Sequence, residues 1–118
     1  PRGQYIGDDP FNRWVKPSCM LICEDNYSNA HGTPWLYHEL GIGKLVGAPV
    51  PGTMTAVWWE SIGDYVFGIP QVGSMDNRGQ LLENQQLEPD IKCFLTPDNL
   101  LQGKDAQIEQ AVKLLLNK

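Results

Sequence analysis

An α/β domain is what this sequence predicts, and three observations carry that expectation. An apolar run, a helical pattern and a second apolar run follow one another within about 30 residues, the span of a βαβ unit. Two β-rich segments separated by a turn signal come next. An amphipathic helical stretch closes the chain.

Residues 1–16 contain Gly, Pro and Asp without a clear period, and read as an irregular segment with aromatic anchors in "DDPFNRW". Residues 18–24, "SCMLICE", form a nearly continuous apolar run between Pro17 and Asp25. That pattern predicts a buried strand covered on both faces, as in a parallel sheet. A helix is expected over 29–40, with Pro34 acceptable only in its first turn and Gly41 and Gly43 as stop signals. "KLVGAPV" then supplies a second strand, and the crossover between the two strands should be right-handed. "MTAVWWES" and "DYVFGIPQV", divided by "IG", predict an antiparallel hairpin. "SMDNRGQ" reads as a further turn, "LLENQQLEPDIKCFL" as a lead into another extended segment, and "TPDNLLQG" as a loop. In "KDAQIEQAVKLLLNK", Asp105 is the expected cap. Ile108, Ala111, Val112 and Leu115 share one helical face, and Lys113 and Lys118 lie toward the C-terminus, where cations are favoured.

The totals narrow the function classes. With 118 residues the chain suits one compact domain, and 42% hydrophobic with 19% charged residues is ordinary for a globular protein. A net charge of -5 argues against nucleic-acid binding, because phosphate contacts need a basic surface. No apolar run approaches the roughly 20 residues of a membrane span. The opening "PRGQYIGDDP" has neither initiator Met nor signal peptide, and reads as a cut inside a longer protein. Three cysteines, Cys19, Cys23 and Cys93, fit no closed disulfide framework. Cys19 and Cys23 are expected as small buried hydrophobes. His31 and His38 show no metal spacing, so no metal or other cofactor is expected.

The junction "CEDNYSNAHGTPW" holds the main question. Ser28 sits between the first strand and the helix, where Ser and Asn are the preferred N-caps. The same place would present a hydroxyl at a sheet's C-terminal edge, with free N–H groups of the first helical turn beside it. Such donors can stabilise an oxyanion when the hydroxyl attacks a carbonyl. A serine nucleophile needs a base, and His31, on the same helix, is poorly placed to be one. Local pattern favours the cap and leaves the nucleophile open.

"EDNYSNAHGTPWLYHELGIGKLVGAPVPG" resembles the nucleophile segment of the tail-specific (C-terminal-processing) serine proteases, in particular their tricorn-core-like branch. "LLENQQLEPDI", residues 81–91, resembles a second motif of that family, in the right order, and the likeness extends over about residues 17–118. The resemblance implies the C-terminal part of a crotonase/Clp-protease-like catalytic domain. It implies that Ser28 is the nucleophile, that the Asn29 backbone contributes to the oxyanion hole, and that Glu83 supports the catalytic histidine. Asn29 departs from the Asp usual at that position, which matters little if only its backbone donates. Thr53 stands where a Ser–Lys branch carries its lysine, so the His/Ser/Glu arrangement fits better. The family histidine and a glycine-rich oxyanion segment lie upstream of anything matched here. The implied partners are therefore a peptide or protein substrate and the N-terminal remainder of the same protein, and this chain alone is expected to be inactive. The resemblance also implies a bacterial periplasmic or exported location.

Trp58 and Trp59 occupy neighbouring strand positions, so one is expected inward and the other outward. Exposed aromatics there would suit the wall of a peptide groove, with an extended substrate adding to a strand edge, or a carbohydrate-stacking platform. "EPDI", residues 88–91, reads as a structural turn into a strand. A non-catalytic peptide-binding module on the same fold is the alternative function.

Overall fold

The computed structural model describes residues 14–116. Most of the predicted irregular segment 1–16, and Lys118, lie outside the described residues, and residues 14–18 carry no regular element. A three-stranded sheet follows, from β1 (Cys19–Ile22), β2 (Lys44–Gly47) and β5 (Ile91–Lys92), in the order β1–β2–β5. Both pairings are parallel, with Met20 opposite Leu45 and Val46 opposite Ile91. The helix α1 (Asn29–Glu39) joins β1 to β2 and completes the βαβ unit. β3 (Thr55–Ile62) and β4 (Tyr65–Gly73) form a separate antiparallel hairpin. The short helix α2 (Pro97–Leu101) and the terminal α3 (Ala106–Leu116) finish the chain.

The core lies between the parallel sheet and its helices. Ile22, Leu45, Val50 and Leu87 form it, with Met20, Trp35 and Tyr37 packed against them. β2 is the central strand, and Leu45 and Val46 are fully buried. β1 is an edge strand, so the expectation of cover on both faces is corrected: Leu21 is 40% exposed, and Cys19 and Cys23 are half-buried rather than buried. Gly47 has φ 140, and a Cβ there would run into the Ile22 carbonyl. Only glycine allows β2 to pass so close to the end of β1.

Pro34 lies beyond the first turn of α1, so the expectation that it is acceptable only in that turn is corrected. Its missing N–H frees the Ala30 carbonyl, and the Asn26 side-chain amide donates to that oxygen at 2.7 Å. The helix then ends as expected. Gly41 takes φ 62, its N–H reaches the His38 carbonyl, and Ile42 N–H reaches the Tyr37 carbonyl at 3.1 Å, a Schellman closure.

In the hairpin, Gly63 with φ 59 opens a two-residue loop, the glycine-first arrangement of tight hairpins. A bulge lies where Ala56 pairs with Val72 and Val57 with Pro70. Pro70 cannot donate to a ladder, so it sits where the ladder is already irregular.

Two further expectations are corrected. "TPDNLLQG" contains α2, because Thr96 accepts from Asn99 N–H and Pro97 occupies the first helical position. In α3, Asp105 caps as expected, accepting from the N–H groups of Gln107 and Ile108 at 3.0 Å each. The buried face, however, is Gln107 with Ala111, while Ile108 and Val112 are exposed. Gln107 is tolerated inside because its side-chain amide donates to the Cys93 carbonyl at 2.9 Å.

Candidate active site

The site begins where β1 runs out. Asn26 brackets the turn, accepting from Cys23 N–H at 3.1 Å while its amide holds Ala30 in the first turn of α1. Strand end and helix start are thereby fixed to one side chain, and Tyr27 and Ser28, between Asn26 and the helix, pass through a sharp bend.

Ser28 stands at that bend with φ 54 and ψ -117. A non-glycine residue rarely adopts such a conformation, at a cost of about 1–3 kcal/mol. As the residue before α1, its carbonyl accepts from His31 N–H at 2.8 Å and Gly32 N–H at 3.1 Å. Its side chain makes no capping bond. The local expectation of a capping hydroxyl is therefore corrected: the backbone of Ser28, not its side chain, starts the helix. Asn29 is the first helical residue, so its N–H has no intrahelical acceptor.

Ser28 and Asn29 form one side of a cleft of about 260 Å³. Met54, Thr55, Ala56 and Val57 form the other, with Ser74 beside them. Glu83 holds that second wall in place. One of its carboxylate oxygens accepts from Met54 N–H and from the Thr55 hydroxyl, both at 2.6 Å. The Thr55 hydroxyl, then the Met54 N–H, hold the Glu83 carboxyl below its ordinary range, and the nearby His31 acts in the same direction. Glu83 is thus an ionised group immediately behind the wall that faces Ser28. Its neighbour Asn84 takes φ 60, a conformation asparagine tolerates, and donates its N–H to the Gly52 carbonyl.

The remaining candidates lie apart from the cleft. His31 is buried, with both ring nitrogens lacking a hydrogen-bond partner among the described residues, and it does not line the cleft. Trp58 and Trp59 lie on β3 opposite Ile69 and Gly68. Both are exposed, at 59% and 70%, so the expected inward–outward alternation is corrected, and neither lines the cleft. The hairpin has no second layer among the described residues for an inward side chain to pack on. Among the described residues no group of three His, Cys, Asp or Glu side chains could hold a metal ion, and no helix is long and apolar enough to cross a membrane.

Sequence reasoning missed the role of Met54, Thr55 and Ser74. Met54 and Thr55 carry no local signal, since their tie to Glu83 spans 29 and 28 residues. Asn26 stands in the polar cluster of the strand-to-helix junction, and nothing local shows that it ties the two ends together.

Comparison with known proteins places this geometry. The family model of peptidase family S41 matches residues 2–93. A Chlamydia pneumoniae protein, CPj1016/CpB1054, is 27% identical over 111 residues, covering 91% of this chain and 18% of its own length. The crystal structure of the tricorn protease superposes with a TM-score of 0.80 at 23% identity, over 98% of this chain and 12% of that one. Mature CPAF superposes with a TM-score of 0.75 at 21% identity, over 90% of this chain and 20% of that one. The chain thus spans about a fifth or less of the length of these proteins, and shares with the solved ones its mixed α/β fold, as a crotonase/Clp-like fragment.

Proposed function

This chain belongs to peptidase family S41, and we propose that it supplies the nucleophile and a supporting carboxylate of a serine peptidase whose base lies elsewhere in the parent protein. One observation carries the proposal: Ser28 keeps a strained backbone on the wall of a cleft while its hydroxyl does no capping. A helix cap needs no such strain, whereas a nucleophile presented on a strand-to-helix elbow does.

In the proposed reaction, Ser28 Oγ attacks the carbonyl carbon of a peptide bond and its proton passes to the histidine. The oxyanion is held by the Asn29 N–H and a donor from the missing segment. Collapse breaks the C–N bond, and the imidazolium returns the proton to the leaving amine. Water, deprotonated by the same imidazole, then releases the acyl group from Ser28. Glu83, ionised and fixed against Met54 and Thr55, supports the histidine through the polar groups between them. Trp58 and Trp59 lie on the hairpin that continues the cleft wall, and remain candidates for extended substrate contact. The location proposed with this activity is periplasmic or exported, to be read by fractionation of cells that express the parent.

Hydrolysis of an internally quenched peptide by the full-length parent tests the activity. Ser28→Ala is expected to lower the rate by at least about a thousandfold, and the 118-residue chain alone should not turn over. Unchanged turnover in the Ala variant overturns the proposal. A parent that binds the peptide without cleaving it supports the non-catalytic module instead.

A further inference from the structure

Gly32 is buried inside α1, at a place where alanine would favour the helix by about 0.5–1 kcal/mol. The reason for glycine is Met54. A Cβ at Gly32 would lie 2.5 Å from Met54 Cε and 2.9 Å from its Sδ, so the thioether rests in the space that a side chain would need. Met54 is also a wall of the cleft beside Ser28, and its backbone N–H is fixed on Glu83. Its backbone therefore cannot retreat, and the seat against Gly32 decides how far the side chain reaches into the cleft.

We infer that Met54 determines specificity at this cleft, with Gly32 setting its depth, and that the cleft selects a peptide side chain that is apolar and uncharged. The inference deepens the serine-peptidase reading and rests on it for the identity of the peptide residue, the one next to the attacked carbonyl. Met54, Ala56 and Val57 supply apolar surface, and Ser28, Asn29, Thr55 and Ser74 supply neutral polar groups. Among the described residues, none of those lining the cleft is charged. A lysine or aspartate head placed there would lose water without gaining a partner. The nearby Glu83 carboxylate stands behind Met54 and Thr55, with one oxygen already taken by both. The cleft, at about 260 Å³, exceeds the roughly 150 Å³ cavity that admits benzene, so one large aliphatic or aromatic side chain fits.

Binding, rather than turnover, is the test. The full-length parent carrying Ser28→Ala is titrated calorimetrically with acetylated peptides that differ only in a C-terminal Leu, Phe, Ala, Asp or Lys. The Leu and Phe peptides should bind at least about tenfold more tightly than the Asp and Lys peptides. Gly32→Ala, by pushing the thioether into the cleft, should cost the Phe peptide about tenfold relative to the Ala peptide. Met54→Ala should move the preference from Leu toward Phe, and Met54→Leu should keep the original order. Thermal melts identify any variant that fails to fold, and the selectivity ratios of the folded ones decide. A Lys peptide that binds best would mean that the Glu83 field governs the cleft, and would overturn the inference. So would an order unchanged in both the Gly32 and Met54 variants, or no binding of any peptide. Fluorophosphonate labelling of the unsubstituted parent reads the nucleophile separately: labelling without selectivity refutes the cleft assignment alone, and selectivity without labelling supports it while refuting the nucleophile.

Discussion

The parallel sheet and the β3–β4 hairpin are written in similar apolar sequence, yet they treat it in opposite ways. Leu45 and Val46 in β2 are 0% exposed. In the hairpin every residue of β4, and every residue of β3 except Thr55, is exposed, including Trp58, Trp59, Val66 and Ile69. The sheet is held by burial beneath α1 and α3, worth about 25 cal/mol per Å² of apolar surface. The hairpin is held by its ladder and its cross-strand pairs, each worth about 0.2–1 kcal/mol. Its base is the exception. There Glu83 fixes Met54 and Thr55, and that fixed end is the wall that faces Ser28. The strain at Ser28 is likewise carried by the well-packed half of the molecule, since β1, Asn26 and α1 set the bend. The cleft is thus formed between a stiff elbow and an anchored hairpin base, and the exposed remainder of the hairpin is energetically separate from it.

The contrast is broken or sharpened by substitution. Leu45→Ala should destabilise the chain by about 2–5 kcal/mol, whereas Val66→Thr on the hairpin should stay within about 0.5 kcal/mol. Urea unfolding followed by circular dichroism compares them, and equal losses would mean that the hairpin is packed in solution. At the elbow, Ser28→Gly relieves the positive φ and Ser28→Ala does not. The Gly variant should therefore be more stable than the Ala variant by about 1–3 kcal/mol. A serine that capped through its side chain would instead show a cost of about 0.5–2 kcal/mol for Ser28→Ala, which should be missing.

A smaller effect concerns pH. Because folding lowers the Glu83 pKa below its ordinary 4.5, the folded state binds this proton less readily than the unfolded chain. The resulting stability is fully present above the unfolded value and is lost as pH falls through the folded one. Glu83→Gln should thus be less stable than the parent sequence near neutrality, and the gap should close on acidification below pH 4.5. Unfolding midpoints measured across that window check it, and a gap that persists unchanged at the acid end would place the stabilising bonds elsewhere.

The βαβ unit, the hairpin and the Asp105 cap were legible because each rests on local pattern: apolar runs, a glycine turn and a polar residue before a helix. The parts that were not legible depend on partners far along the chain or on backbone angles. Pro34 reads as acceptable only in the first helical turn until the Asn26 amide is seen on the Ala30 carbonyl. Gln107 lies outside the apolar face expected for α3, and its burial follows from its bond to the Cys93 carbonyl. Ser28 reads as a cap because composition favours one there, and only φ, ψ and the lack of a side-chain capping bond set it apart from an ordinary cap. Glu83 carries no local signal of its own, and its place behind the cleft comes from Met54 and Thr55, which sequence gives no reason to join to it. Both residues stand out through the family resemblance rather than through local pattern.

Intact mass after fluorophosphonate treatment, on this chain and on the full-length parent, each with a Ser28→Ala control, decides what the elbow is for. A single adduct on the parent, absent from its Ala variant and from the isolated chain, is the expected result, and it would make Ser28 a nucleophile activated by the remainder of the protein. No adduct on the parent, or an adduct that survives Ser28→Ala, would contradict that assignment and leave the strained serine without a catalytic role.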